Sequence, residues 1–80
     1  MERGEIERQL TEIFREVFDD QSIVIRDDMT AADVKEWDSF NHINLVVAVE
    51  RGFRIRFTTK EVNNLANVGE FVSLIASKLG

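Results

Sequence analysis

The sequence predicts an all-α fold: a four-helix bundle with a long first loop and a short third helix. Two segments, residues 5–18 and 67–79, repeat apolar side chains at helical spacing. A third, from Asp38 to Gly52, is a long, mostly apolar run that opens on two residues suited to capping a helix. Two capping patterns, Thr58 with Glu61 and Asn67 with Glu70, mark further starts downstream. Packing these amphipathic pieces against one another is the economical way to bury their apolar faces.

The first helix carries Ile6, Leu10, Ile13, Phe14, Val17 and Phe18 on one side and Arg8, Glu12, Arg15 and Glu16 on the other. Asp19-Asp20-Gln21-Ser22 ends it. Residues 19–38 then form a connection long enough to need anchoring. Ile23, Ile25, Met29, Val34 and Trp37 are its apolar anchors, and Thr30-Ala-Ala-Asp33 can cap a short helical turn. The loop delivers Ser39 to the start of the second helix. That helix shows Phe40, Ile43, Val46, Val47 and Val49 at helical spacing, a stripe that Leu45 and Ala48 widen, with Gly52 as the expected stop. Its β-branched content could suit a strand, but the length and the polar Asn41, His42 and Asn44 favour a helix.

Phe53, Ile55 and Phe57 alternate with Arg54 and Arg56, a strand period without a second strand to pair with. We read this as an extended connector dipping aromatic rings into the core. The third helix starts at Thr58 and ends near Asn64. Val68, Phe71, Val72, Ile75 and Leu79 form the apolar face of the fourth. The expected core joins Phe14, Val46, Val49, Phe53, Phe71 and Ile75.

Composition narrows the functions. Eighty residues make one domain, 1–80, and 44% hydrophobic with 31% charged residues describes an ordinary soluble globule. There is no cysteine, hence no disulfide framework and no thiolate metal site. No apolar run approaches a membrane span. The Met-Glu-Arg-Gly-Glu start lacks the apolar segment of a signal peptide, so a cytoplasmic location is expected. A net charge of −5 argues against nucleic acid as partner. The charge is segregated: residues 1–38 hold 12 acids and 5 bases, residues 39–80 hold 3 acids and 5 bases.

Ser39 and Asp38 are both able to cap the second helix, which leaves one of the two side chains spare. An anionic group on a spare Ser39 hydroxyl would meet unpaired backbone N–H groups and the positive end of the helix dipole. A Ser-His-Asp hydrolase built from Asp38, Ser39 and His42 is disfavoured. The base must lie between nucleophile and orienting acid, and three neighbours on one helical turn cannot stack that way. No metal site is expected, His42 being the single histidine.

Trp37-Asp38-Ser39-Phe40, followed by Ile43, Leu45, Val46, Ala48, Val49, Glu50 and Phe53, resembles the acyl carrier protein family, whose signature is Asp-Ser-Leu at the start of its second helix. The likeness runs through all four helices and the long loop. Trp-Asp-Ser and Gly-Phe-Arg-Ile-Arg-Phe look like stand-alone carriers rather than domains of large synthases. The resemblance implies that Ser39, flanked by Asp38, receives 4′-phosphopantetheine from coenzyme A through a separate phosphopantetheinyl transferase. The chain would be no enzyme. It would hold acyl or aminoacyl groups as thioesters on the arm's thiol, which explains how a protein without cysteine could work through thioesters. An acyl- or aminoacyl-loading ligase or transferase and downstream biosynthetic enzymes would be its partners. The rival from another class is an unmodified helical interaction module that has kept the fold.

The sequence departs from the family at the partner face, for which the expected residues are Phe40, Asn41, Ile43, Asn44, Val47 and Arg51. Phe40 replaces the usual Leu. Asn41 and Asn44 stand where the family usually has acids, and Arg51, Gly52, Arg54 and Arg56 follow Glu50. These departures point to a dedicated biosynthetic pathway rather than general fatty acid synthesis.

Overall fold

A computed structural model describes residues 1–80. Four helices follow in order: α1 (Arg3–Val17), α2 (Ser39–Phe53), α3 (Thr59–Asn63) and α4 (Val68–Leu79), with one 3-10 turn at Ala31–Asp33 in the long loop. The all-α architecture and the short third helix are as the sequence predicts.

α1 packs against both α2 and α4. It buries Ile6, Leu10 and Phe14, and Phe18 follows just past its end. α2 contributes Leu45, Val49 and Phe53, and α4 contributes Val68, Phe71, Val72 and Ile75. All of the buried side chains are apolar. Val46, expected in this core, is only half-buried, and Leu45 takes the place fully inside. The reason is phase: α2 is apolar on most sides between Leu45 and Val49, so spacing alone does not decide which side turns inward.

The helix stop also differs from expectation. α2 runs through Gly52 to Phe53, and Arg54 is the residue that leaves it, in the left-handed region at φ 57° and ψ 48°. Its N–H and that of Ile55 both close onto the Glu50 carbonyl. Gly52 is present for packing. A Cβ there would stand 3.0 Å from Ile13 Cδ1, and the Gly52 carbonyl accepts a 2.9 Å bond from Gln9 Nε2 of α1.

The long loop is fastened at both ends. Ile23, Met29 and Val34 are buried, and Ile25 and Trp37 pack on the core. Arg15 Nε donates to the Ile23 carbonyl at 2.8 Å. Thr30 and Asp33 form a full capping box around the 3-10 turn. The carbonyls of Met29 and Asp27 accept the N–H groups of Val68 and Gly69, at 2.8 and 2.9 Å. They thereby satisfy two of the donors that a helix start leaves open. Gly69 is needed for this approach, since a Cβ there would lie 3.0 Å from the Asp27 carbonyl oxygen.

α3 is held by its own capping box and by an ion pair. Glu61 accepts from the Thr58 N–H at 2.8 Å, Thr58 Oγ1 accepts from the Glu61 N–H at 3.1 Å, and Lys78 Nζ of α4 reaches Glu61 at 2.9 Å. The Thr58 N–H, and after it Lys78, hold the Glu61 carboxyl below its usual range. A carboxyl lowered in the folded state stabilises the fold above its unfolded pKa and loses that contribution as pH falls through the folded value. The wild type is therefore expected to be more stable than Glu61→Gln at neutral pH, with the gap closing on acidification. Urea midpoints of both proteins across the acid range check this; a gap that persists in acid would show that the charge is not what matters.

Candidate functional site

The site lies where the long loop enters α2. Asp38 is extended (φ −105°, ψ −176°), and its Oδ1 accepts the Asn41 N–H at 2.8 Å. Asp38 is thus the N-cap, which decides between the two candidates that local sequence leaves open. Ser39 becomes the first helical residue. It is exposed, and its hydroxyl makes no hydrogen bond within the chain. The backbone N–H groups of Ser39 and Phe40 likewise have no partner in the protein. The start of α4 is filled by loop carbonyls and Asn67, so the start of α2 offers donors that the start of α4 does not.

The loop is locked to this helix start by two contacts that spacing alone does not reveal. Trp37 Nε1 donates to His42 Nδ1 at 3.0 Å, with the two ring planes only 20° apart and the ring centres separated by 6.1 Å. On its other side the indole meets Phe14 edge-on, at 5.3 Å between ring centres. The second contact is Asn41 Nδ2, which donates to the Glu36 carbonyl at 2.7 Å. These bonds fix the conformation that presents Ser39. They also bear on the hydrolase idea: the Asp38 carboxylate caps the helix and His42 Nδ1 is taken by Trp37, so no orienting acid stands behind the imidazole. Nor do His, Asp or Glu side chains gather into a metal site.

Beside Ser39 opens a groove of about 820 Å³ between α2 and the segment from Phe57 to Asn67. Val46, Val47, Val62, Leu65 and Phe71 supply apolar wall, and Ser39 and Asp38 stand at its edge. Its size is within the range of small-molecule sites. Glu50 shapes one side: its Oε2 accepts the Phe57 N–H at 2.8 Å, and the Phe57 ring then packs 5.7 Å from Phe71. Sequence reading passed over Glu50 in this role. The available signal was the connector itself, because an extended segment without a neighbouring strand leaves N–H groups that need an acceptor.

Of the expected partner residues, Phe40, Ile43, Asn44, Val47 and Arg51 are exposed. Asn41 is half-buried and is occupied in tethering Glu36. Asn44 Nδ2 donates to Asn41 Oδ1 at 3.3 Å.

No protein-family model matches the chain. It is 32% identical over 77 residues to an acyl carrier protein of Acidothermus cellulolyticus, an alignment covering 96% of this chain and 92% of that one. Its fold matches the solution NMR structure of holo acyl carrier protein from Geobacter metallireducens with a TM-score of 0.86 and 44% identity, over 90% of this chain and 83% of that chain. With four helices in the same arrangement and a relative aligned along nearly its whole length, the chain belongs to the acyl carrier protein family, whose members are carriers and not enzymes.

Proposed function

We propose that this protein is a stand-alone carrier that holds acyl or aminoacyl intermediates as thioesters on 4′-phosphopantetheine attached to Ser39, in a dedicated biosynthetic pathway. The observation that carries the reading is the division of labour between Asp38 and Ser39. Asp38 caps the helix, so the neighbouring hydroxyl is spare, exposed and fixed at the helix start.

The residues fit the group. A phosphodiester on Ser39 Oγ places negative charge at the N-terminus of a fifteen-residue helix, beside the free N–H groups of Ser39 and Phe40. Such a placement is favoured by about 0.3–1 kcal/mol at an exposed site. Trp37, His42 and Asn41 hold the loop so that the hydroxyl stays presented to a transferase. When bound, the arm supplies the thiol that this cysteine-free chain lacks. The groove beside Ser39 offers an apolar wall against which a cargo chain can shelter from water. Phe40, Asn41, Ile43, Asn44, Val47 and Arg51 form the surface that loading and downstream enzymes meet.

The test is an intact mass after coexpression with a promiscuous phosphopantetheinyl transferase. The expected result is a gain of one phosphopantetheinyl group. No gain, with the chain folded, would favour an unmodified interaction module instead.

A further inference from the structure

α2 presents an outward stripe that the core does not use, with Ile43 and Val47 also bordering the groove. Phe40, Ile43, Val47 and Arg51 recur at intervals of three and four, so they line one side of the helix, and Arg54 follows just past its end. Phe40 is 73% exposed, Ile43 64% and Val47 41%, three of the few large apolar side chains that the fold leaves in water. Arg51 and Arg54 continue the stripe, are also exposed, and make no ion pair.

Acids are missing from this side. Glu50 is the one acidic residue within α2, and its carboxylate is turned to the Phe57 N–H. Asp38, at the far end, has its carboxylate on the Asn41 N–H. The stripe therefore runs from apolar to cationic over about 16–20 Å. It does so on a protein of net charge −5 whose first 38 residues hold 12 acids against 5 bases. A surface with carboxylates is repelled by the acidic first half of the chain and attracted at the end of α2, where exposed Arg56 adds to Arg51 and Arg54. Such a field orients an approaching partner before contact.

We propose that the α2 face docks on enzymes whose binding surface is an apolar recess bordered by carboxylates where it meets Arg51 and Arg54, and not by lysines and arginines. This rests on the reading of Ser39 as the arm-bearing residue, because Phe40 follows it directly and docking must bring the arm to the partner's active site. Phe40, Ile43 and Val47 supply the apolar anchors, and the two arginines set register and polarity.

The experiment uses holo protein made with a promiscuous phosphopantetheinyl transferase and checked by intact mass. After acyl loading, transfer rates are measured against salt to two probes. One is a fatty acid synthase ketosynthase with a basic docking patch; the other is the same enzyme with that patch changed to glutamates. Wild-type carrier is expected to serve the basic enzyme slowly, with a rate that rises as salt screens repulsion. It should serve the acidified enzyme about tenfold faster, with a rate that falls with salt. Arg51→Glu with Arg54→Glu should exchange the two patterns. Ile43→Ser should slow transfer to both enzymes while leaving the helical circular dichroism unchanged, since Ile43 is exposed. Wild-type transfer to the basic enzyme that is fast and falls with salt overturns the proposal, as does a double arginine variant that alters neither rate. A dimer in sedimentation that Ile43→Ser dissolves would make a second copy the occupant and also overturn it. Failure of the initial mass gain removes the carrier reading, and this proposal with it.

Discussion

Ser39→Ala is expected to abolish the phosphopantetheinyl mass gain completely while leaving the fold as stable as wild type. The two halves of this result come from different atoms. The hydroxyl is the proposed acceptor, and alanine leaves no oxygen at that position to form the phosphodiester. The helix start does not depend on that hydroxyl, because Asp38 Oδ1 accepts the Asn41 N–H. Alanine at the first helical position suits the helix, so unfolding free energy should change by less than about 0.5 kcal/mol. Asp38→Ala is the matching control. It removes the cap and should cost about 0.5–2 kcal/mol. Intact mass and urea denaturation of both variants check the assignment. If Ser39→Ala still gains the mass, the arm is on another hydroxyl, and Ser22, Ser73 and Ser77, all exposed, would be next to examine.

Phe71→Ala should destabilise the protein by about 3–5 kcal/mol, the usual cost of removing a buried phenylalanine. Phe71 is 1% exposed, and its ring lies 5.7 Å from that of Phe57. Folded domains commonly have only about 5–15 kcal/mol in total, and small ones bury proportionally less surface. The variant should therefore be partly unfolded at physiological temperature. Phe71 also lines the groove beside Ser39, so a less severe Phe71→Leu should be better tolerated. Urea midpoints measure the loss; a loss under about 1 kcal/mol for Phe71→Ala would mean that the ring does not hold the core together.

The sequence made α1 legible because its apolar and charged positions separate cleanly, so Ile6, Leu10 and Phe14 could only face inward. α2 was legible as a helix but not in its rotation. Its apolar residues serve three environments: Leu45 the core, Val46 the groove and Phe40 the open surface, with Ile43 exposed at the groove's border. Hydropathy is the same in all three, which is why Val46 was expected in the core. Gly52 misled for a related reason. Glycine is needed both to end a helix and to let two helices approach closely, and only the position of Ile13 tells which applies. Ser39 and Asp38 were legible as a pair, but which of them caps depends on backbone angles. The Trp37–His42 bond and the Glu50–Phe57 bond join residues five and seven positions apart, through side-chain directions that no helical or strand period encodes.

Trp37 has a practical consequence as well. The chain contains one tryptophan and no tyrosine, so its near-ultraviolet emission has a single indole source. That indole meets Phe14 of α1 edge-on, donates to His42 of α2 and stands two residues from the proposed attachment residue. Light from this protein therefore reports the junction of loop and α2, and the far end of α4 contributes nothing to it. The protein comes with an optical probe of its own site, without a label that would crowd Ser39.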